Sequence, residues 1–206
     1  MTHSTYQDFA QVSSCDLADA LPRHQFMNYS IHPLWPNMPR IAGRAFTVHC
    51  GHGDNLMVHA AIYAAEPGDI LVVQANDQYA VSGGNVCAIA KARGITGFVI
   101  DGVIRDIDEV ADIKFPVHGL GTCPKPGAKK VYLPLNKPVL CGGVKVYTGD
   151  IVVADNDGVA IIPKSQARES LATAINRRDT DAKQTLAQWQ SKHEQNVQDI
   201  LLKLTK

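Results

Sequence analysis

The chain has 206 residues, 45% hydrophobic and 19% charged, which suits one domain with a real core, with or without an added tail, and excludes a disordered chain. Lys plus Arg and Asp plus Glu each number 20, so the basic excess with which most nucleic-acid binders neutralise phosphate is absent. No window has the apolar length of a membrane helix, the opening MTHSTYQDFAQVSS lacks a basic-then-apolar leader, and Cys15, Cys50, Cys87, Cys123 and Cys141 are scattered without a C-x-x-C pair; the expectation is a cytoplasmic protein with reduced thiols that binds neither nucleic acid nor membrane.

In chain order, residues 13–21 open with N-cap chemistry and space Leu17, Ala20 and Leu21 as a helix, stopped by Pro22. A loop containing Pro33, Pro36 and Pro39 follows. Residues 40–50 read as a strand, His52-Gly53-Asp54-Asn55 as a turn that caps a helix over 56–65, and residues 70–74 as a buried strand. A second helix is predicted over 86–93, a strand over 97–100 and a short helix over 107–113. Strands alternating with helices and short connections argue a parallel or mixed sheet with helical crossovers. From Lys114 to Pro163 the pattern becomes β-rich, with short strands at 131–133, 139–141, 144–147, 151–154 and 159–162 suggesting sheet layers or a barrel-like closure. Residues 164–206 read as a helical tail. Its stripe of Leu186, Trp189, Val197, Ile200, Leu201 and Leu204 must be buried somewhere, and the expected places are the body or a neighbouring subunit. The domain division is therefore 1–163 for the body and 164–206 for the tail.

The chemistry concentrates in residues 83–106, GGNVCAIAKARGITGFVIDGVIRD. Gly83, Gly84, Asn85 and Val86 start a helix, and N–H groups at a helix start favour an anion, a carboxylate as well as a phosphate. The strand over 97–100 delivers Asp101 and then Arg105-Asp106 at its carboxyl end, where open α/β sheets gather ligands. Arg105 supplies a fixed cation and Asp106 a hard oxygen donor of the kind Mg²⁺ takes once or twice while keeping other positions for water and substrate. A surface ion pair at a helix start is the plainer reading of the same two residues on spacing alone. Asp101 is expected to orient its neighbours or form the turn rather than bind metal. His49, His52 and His59 lack a companion ligand motif and read as ordinary strand and helix residues, with His52 alone kept for a pocket. Asp155-Asn156-Asp157-Gly158 reads as a hairpin turn. No lysine stands in a buried apolar strand, which disfavours Schiff-base chemistry.

This stretch resembles the family of the regulator of ribonuclease activity A (RraA-like), whose enzymatic members are class II aldolases acting on 4-hydroxy-4-methyl-2-oxoglutarate and 4-carboxy-4-hydroxy-2-oxoadipate. The likeness extends over roughly residues 13–163. It includes GRAFTV at 43–48, GDNLMVHAA at 53–61, PGDILVV at 67–73, GGV at 142–144 and GDIVVADNDGV at 149–159. The resemblance implies a swivelling β/β/α domain, assembled as a homotrimer or homohexamer. It implies that Asp106 holds a divalent cation, Mg²⁺ or Mn²⁺, that Arg105 binds the substrate and its enolate, and that the amides of Gly83, Gly84, Asn85 and Val86 receive the pyruvyl carboxylate. The activity implied is cleavage of a 4-hydroxy-2-oxo acid to pyruvate and a second 2-oxo acid, with oxaloacetate decarboxylation alongside. No side chain near the motif is an obvious base, so a water made acidic by the metal is expected to serve. Some aldolases of the family carry an acidic residue where this chain has Gly84, and some borrow a carboxylate from a neighbour's tail, for which Asp179, Asp181 and Glu194 are the candidates here. The alternatives are a non-catalytic regulator of ribonuclease E, against which Asp106 argues, and a lyase for a different 2-oxo acid.

Overall fold

A computed structural model describes residues 6–75 and 78–205. Its centre is a seven-stranded mixed sheet in the order β1-β6-β4-β3-β2-β10-β11. The strands are β1 (His32–Pro33), β2 (Ile41–His49), β3 (Asp69–Gln74), β4 (Gly97–Asp101), β6 (Val117–Gly119), β10 (Ile151–Asp155) and β11 (Gly158–Ile162). β2, β3, β4 and β6 run parallel, and β1, β10 and β11 add antiparallel margins. The parallel pairs are joined through α1 (Leu56–Ala64), α2 (Gly84–Ala92) and α3 (Ile107–Asp112). Two short pairs stand apart, β5 (Val103–Ile104) with β7 (Gly121–Thr122), and β8 (Val139–Cys141) with β9 (Val144–Val146).

The sheet nearly closes on itself. Phe26 bridges antiparallel to Ala160 of β11, the Met27 N–H donates to the Val159 carbonyl at 3.0 Å, and a few residues later β1 pairs with β6 at the other margin. Buried His118 of β6 completes the link by donating from Nε2 to the Asp155 carbonyl at 2.9 Å. This is the barrel-like closure expected of the second half, made with help from the first.

Alternation along the strands explains the layers. Phe46, Val48, Leu71, Val73, Phe98 and Ile100 meet the helices. Ala45, Ile70, Val72, Val99, Val152 and Ala154 face the β8–β9 hairpin. On β10, Ile151 and Val153 turn the other way, onto the N-terminal turns and α4 (Ala167–Lys183). Both faces of β3 are covered, which is why its sequence is an unbroken apolar run rather than an alternation.

Two elements differ from the sequence reading. Residues 13–21 form a single 3₁₀ turn, Asp16–Asp19, instead of a helix. The Ser14 N–H and hydroxyl are drawn to the buried Asp155 carboxylate at 2.8 and 2.6 Å, and Pro22 leaves no length to recover. Residues 131–133 form no strand, because the N–H groups of Lys130 and Val131 go to the Asp54 carboxylate at 2.6 and 3.2 Å and not to a ladder. The tail divides into α4 and α5 (Leu186–Leu204), broken where Thr185 caps α5 in a capping box with Gln188. α4 buries Ala167, Ser170 and Ala174 against the body, and its Arg177 pairs with Asp19. α5 buries nothing: Leu186, Trp189, Ile200, Leu201 and Leu204 stay exposed. Among the described residues no helix is long and apolar enough to cross a membrane.

Candidate functional site

The two halves of the 83–106 stretch meet at the carboxyl ends of β3 and β4. Val81 donates its N–H to the Val103 carbonyl and Arg105 to the Ser82 carbonyl, both at 3.1 Å. This pairing lays the start of α2 beside Arg105-Asp106. Gly83, in extended backbone, caps α2, which begins at Gly84, two residues earlier than periodicity placed it. The Gly84 N–H donates to Asp106 Oδ2 at 3.2 Å, and Arg105 Nε lies 3.4 Å from the same oxygen. The glycine pair is required by this approach. A Cβ on Gly83 would stand 2.5 Å from Asp106 Oδ2, and one on Gly84 would overlap the Glu109 carboxylate.

Asp106 occupies left-handed backbone, φ 58° and ψ 43°. Most L residues pay about 1–2 kcal/mol there, and aspartate and asparagine tolerate it best. Strain of this kind collects where a side chain must be aimed. It tips the Asp106 carboxylate toward Gly83 and Gly84 instead of away with α3.

A cavity of about 100 Å³ opens between this wall and a second one. Gly83, Asn85, Val86, Arg105 and Asp106 line the first wall; Asn55, His59, Pro126 and Lys129 line the second. The second wall is made by an irregular strap, residues 123–138, laid across the start of α1. Asp54 fastens it. Its Oδ1 accepts from the Leu56 N–H at 2.9 Å, and its Oδ2 takes the two strap N–H groups already named. Burial works against its charge, but these three N–H donors and nearby Lys129 hold its carboxyl below the usual range. Ala128 adds two backbone bonds, to Gly53 at 2.7 Å and from Asn55 at 2.8 Å.

Two groups on this wall gain a meaning that local sequence pattern shows weakly or not at all: Asn55, which reads chiefly as part of a helix cap and secondarily as a pocket residue, and His59. Asn55 is 5% exposed, and its Oδ1 is buried without a hydrogen-bond partner. Such an acceptor is costly unless a ligand or water meets it. His59, set aside as an ordinary helix residue, lines the cavity, and desolvation, then the charge of Lys129, pushes its pKa below the usual imidazole range. The position of His59 one helical turn after Asn55 was the available signal. His52, the histidine kept for a pocket, is exposed and instead edges against Tyr79. Asp101 turns away from Asp106: its Oδ2 accepts from the Gly142 N–H at 2.9 Å and secures the β8–β9 turn. Buried Cys50 and Cys87 have thiols pushed up to about 12 by desolvation, and Cys141 is raised further, so none is a nucleophile.

Asp106 and Glu109 bring carboxylates to the same glycine pair, and among the described residues no group of three or more His, Cys, Asp or Glu is placed to hold a metal ion, so any cation here would have at most these two protein carboxylates. A cation that accepts one or two carboxylates and keeps its waters fits.

The nearly closed mixed sheet, with a helix start set beside an Arg-Asp pair on one wall of a small cavity, defines a swivelling β/β/α domain of the ribonuclease-regulator and aldolase type. The family model described as RraA-like, Aldolase/RraA, matches residues 14–161, and the chain belongs to that family. It is 38% identical over 175 residues to a protein of Halalkalibacterium halodurans provisionally named as a 4-hydroxy-4-methyl-2-oxoglutarate aldolase, covering 84% of this chain and 83% of that one. An uncharacterised Pseudomonas syringae protein superposes with a TM-score of 0.81 at 25% identity, over 93% of this chain and 95% of that one. The RNA-processing inhibitor RraA of Thermus thermophilus superposes with a TM-score of 0.67 at 27% identity, over 73% and 92%.

Proposed function

We propose that the protein is a divalent-metal-dependent aldolase that cleaves 4-hydroxy-2-oxo acids, 4-hydroxy-4-methyl-2-oxoglutarate or 4-carboxy-4-hydroxy-2-oxoadipate, to pyruvate and a second 2-oxo acid, and that decarboxylates oxaloacetate as a side reaction. The observation that carries this reading is the strained Asp106, held beside Arg105 against the first turn of α2. Aldolase names among the relatives support it.

Asp106 and Glu109 would hold Mg²⁺ or Mn²⁺, which when bound supplies Lewis acidity to the paired oxygens of a 2-oxo acid. The N–H groups at the start of α2 receive the pyruvyl carboxylate, where the helix dipole favours an anion. Arg105 faces the C2 oxygen and stabilises the negative charge that develops there. His59, kept neutral by desolvation and by Lys129, takes the proton of the 4-hydroxyl. As that proton leaves, the C3–C4 bond breaks, its electron pair passes to the C2 oxygen, and the resulting enolate is protonated at C3. Asn55 Oδ1 offers the acceptor that aligns the hydroxyl before transfer. Lys129 attracts the second carboxylate of the substrate. The exposed stripe of α5 supports self-association, which the family resemblance makes a homotrimer or homohexamer, and the balanced charge supports a function without nucleic acid.

The test is pyruvate release from both acids and from oxaloacetate, with Mg²⁺ and with EDTA, in wild type and Asp106→Asn. Release that needs both the cation and Asp106 supports the reading. Release that survives either loss rejects the mechanism. No release from any of the three acids, with tight metal-independent capture of a ribonuclease, would favour the regulator reading, which the likeness to the Thermus inhibitor keeps open. Activity on another 2-oxo acid alone would favour a different lyase.

A further inference from the structure

α1 and α2 pack side by side on the sheet and turn an outer face away from it. On α1 this face holds Ala60, Tyr63 and Ala64, and on α2 Ala88, Ile89 and Ala92. Tyr63 is 60% exposed and Ile89 38%. Protein surface that faces water carries charge on about a quarter to a third of its residues. α1 carries none, and the one charged residue of α2, Lys91, is turned aside to the Ile113 carbonyl. Arg93, just past α2, folds over the Tyr63 ring at 5.4 Å and donates to the Ile62 and Tyr63 carbonyls. A helix apolar on every side belongs in an interior, and one copy of the chain gives the outer side of α1 none.

α5 presents the complement. It buries none of its residues, and exposed Val197, Ile200, Leu201 and Leu204 crowd its free end with large apolar side chains. Large side chains on one helix seat between small ones on another, and the four alanines of the α1–α2 face leave that space. α1 and α2 are nine residues each, about 13 Å, which accepts roughly two and a half turns of α5, enough for Val197 to Leu204. Within one chain the two surfaces stand apart. α4 anchors the tail in the cluster of Phe9 and Ile151, whereas α1 and α2 belong to the cluster of Phe46 and Leu71. On α5, Lys192 and Lys203 are offset by Glu194 and Asp199. That balance gives no basic face for a lipid surface and suits an occupant as short of charge as the α1–α2 face is.

We infer that the free end of α5 of one copy lies across α1 and α2 of another and there closes the outer side of the cavity. Val86 and His59 carry the second half of this statement. Both line the cavity, and they stand one helical turn before Ile89 and Tyr63 on the same helices. A helix seated on Tyr63 and Ile89 is therefore at the cavity mouth and keeps water from it. The giving and receiving surfaces differ, so each copy gives one α5 and receives one, in a ring or a reciprocal pair. The contact is independent of the reaction; its effect on turnover rests on the aldolase reading above.

Sedimentation velocity of the full-length chain reads the contact. Ile200→Asp and Ile89→Asp are each expected to weaken self-association by ~30-fold or more, as loss of a central anchor does. Leu140→Asp, at an exposed apolar residue of the β8–β9 hairpin, is expected to leave it unchanged. Circular dichroism checks that each variant is folded, and Ala88→Arg, at an exposed position of the same face, repeats the test should Ile89→Asp unfold. Ile200→Asp keeps the receiving face and Ile89→Asp the giving one. Mixing the two, at about ten times the concentration at which wild type assembles, is expected to yield a species with one chain of each. A monomeric wild type, an assembly that survives substitution of the α2 face, or a mixture that stays monomeric overturns the contact. Pyruvate release with Mg²⁺ is expected to fall ~10-fold or more in Ile200→Asp, as a loosened and wetter site loses rate, and to return in part in the mixture. Dissociation with unchanged release overturns the closing of the cavity. An assembled wild type that releases no pyruvate from any of the three acids overturns the aldolase reading and leaves the contact standing.

Discussion

The two walls of the cavity are assembled from very different distances along the chain. One uses residues 83–106, a single α2–β4 passage whose ends return to each other through the Val81–Val103 and Arg105–Ser82 bonds. The other joins Asn55, the cap of α1, and His59 within it to Lys129 of a strap seventy or more residues away, largely through the buried Asp54 carboxylate. The first wall is held by secondary structure, so its side chains can be changed with small effects on folding. The second is held across loops by the Asp54 carboxylate together with a few backbone bonds, and disturbing that carboxylate changes stability and chemistry together.

Substitutions can break this contrast. The largest effect is expected at Asp106. Asp106→Asn keeps a residue that tolerates left-handed backbone and should lower kcat by ~1000-fold, as lost transition-state electrostatics do, with a thermal melt close to wild type. Next comes His59→Gln, expected to cost ~100-fold in kcat. It should also abolish the acid limb of kcat/KM, which in wild type lies below pH 6.5 because burial and then Lys129 depress the imidazole's pKa; Lys129→Ala should move that limb upward. Asp54→Ala should act on both properties: stripping three N–H donors of their acceptor costs about 2–3 kcal/mol, read as a lower melting temperature, and activity should fall with it as Lys129 leaves the wall. Lys129→Ala should raise KM for dicarboxylic substrates with kcat nearly unchanged, the sign of binding shared by ground and transition states. The smallest effect concerns the sheet closure. Burial of His118 lowers its pKa below 6.5, against the opposing pull of Asp155 and alongside the repulsion of His32. The unfolded chain therefore takes up that proton first as pH falls, so the contribution of His118 is full above pH 6.5 and is lost below it. Urea titrations from pH 7.5 to 5 should show this slope, and His118→Gln should flatten it.

The same contrast explains what could be read from sequence. Strands β2, β3, β4, β10 and β11 and helices α1 to α3 were legible because each carries its own period or apolar run between Gly, Pro and Asp punctuation. The grouping of Gly83, Asn85, Val86, Arg105 and Asp106 was accessible because a helix start and a strand end in one crossover must lie at the same edge of a parallel sheet. Asp54 looked chiefly like a cap, which it is, through its bond to Leu56; its grip on Lys130 and Val131 depends on a long-range placement no local pattern records. The same bonds turned the predicted strand at 131–133 into irregular chain. Glu109 was overlooked because its meaning depends on the space left by Gly84. β1, β5, β6 and β7 are two- or three-residue strands, too short to show any period.

The left-handed backbone at Asp106 also limits what mutation can try there. Asparagine and glycine fit this conformation readily, while most other residues meet a steric penalty. The substitutions the fold accepts most easily are thus ones that discard the carboxylate proposed to hold the cation without disturbing the scaffold. A lineage leaving catalysis could cross in one codon and keep every surface intact, whereas the return must restore aspartate itself. On the proposed function, a protein with this backbone sits at a narrow gate between a lyase and an inert copy of its own shape.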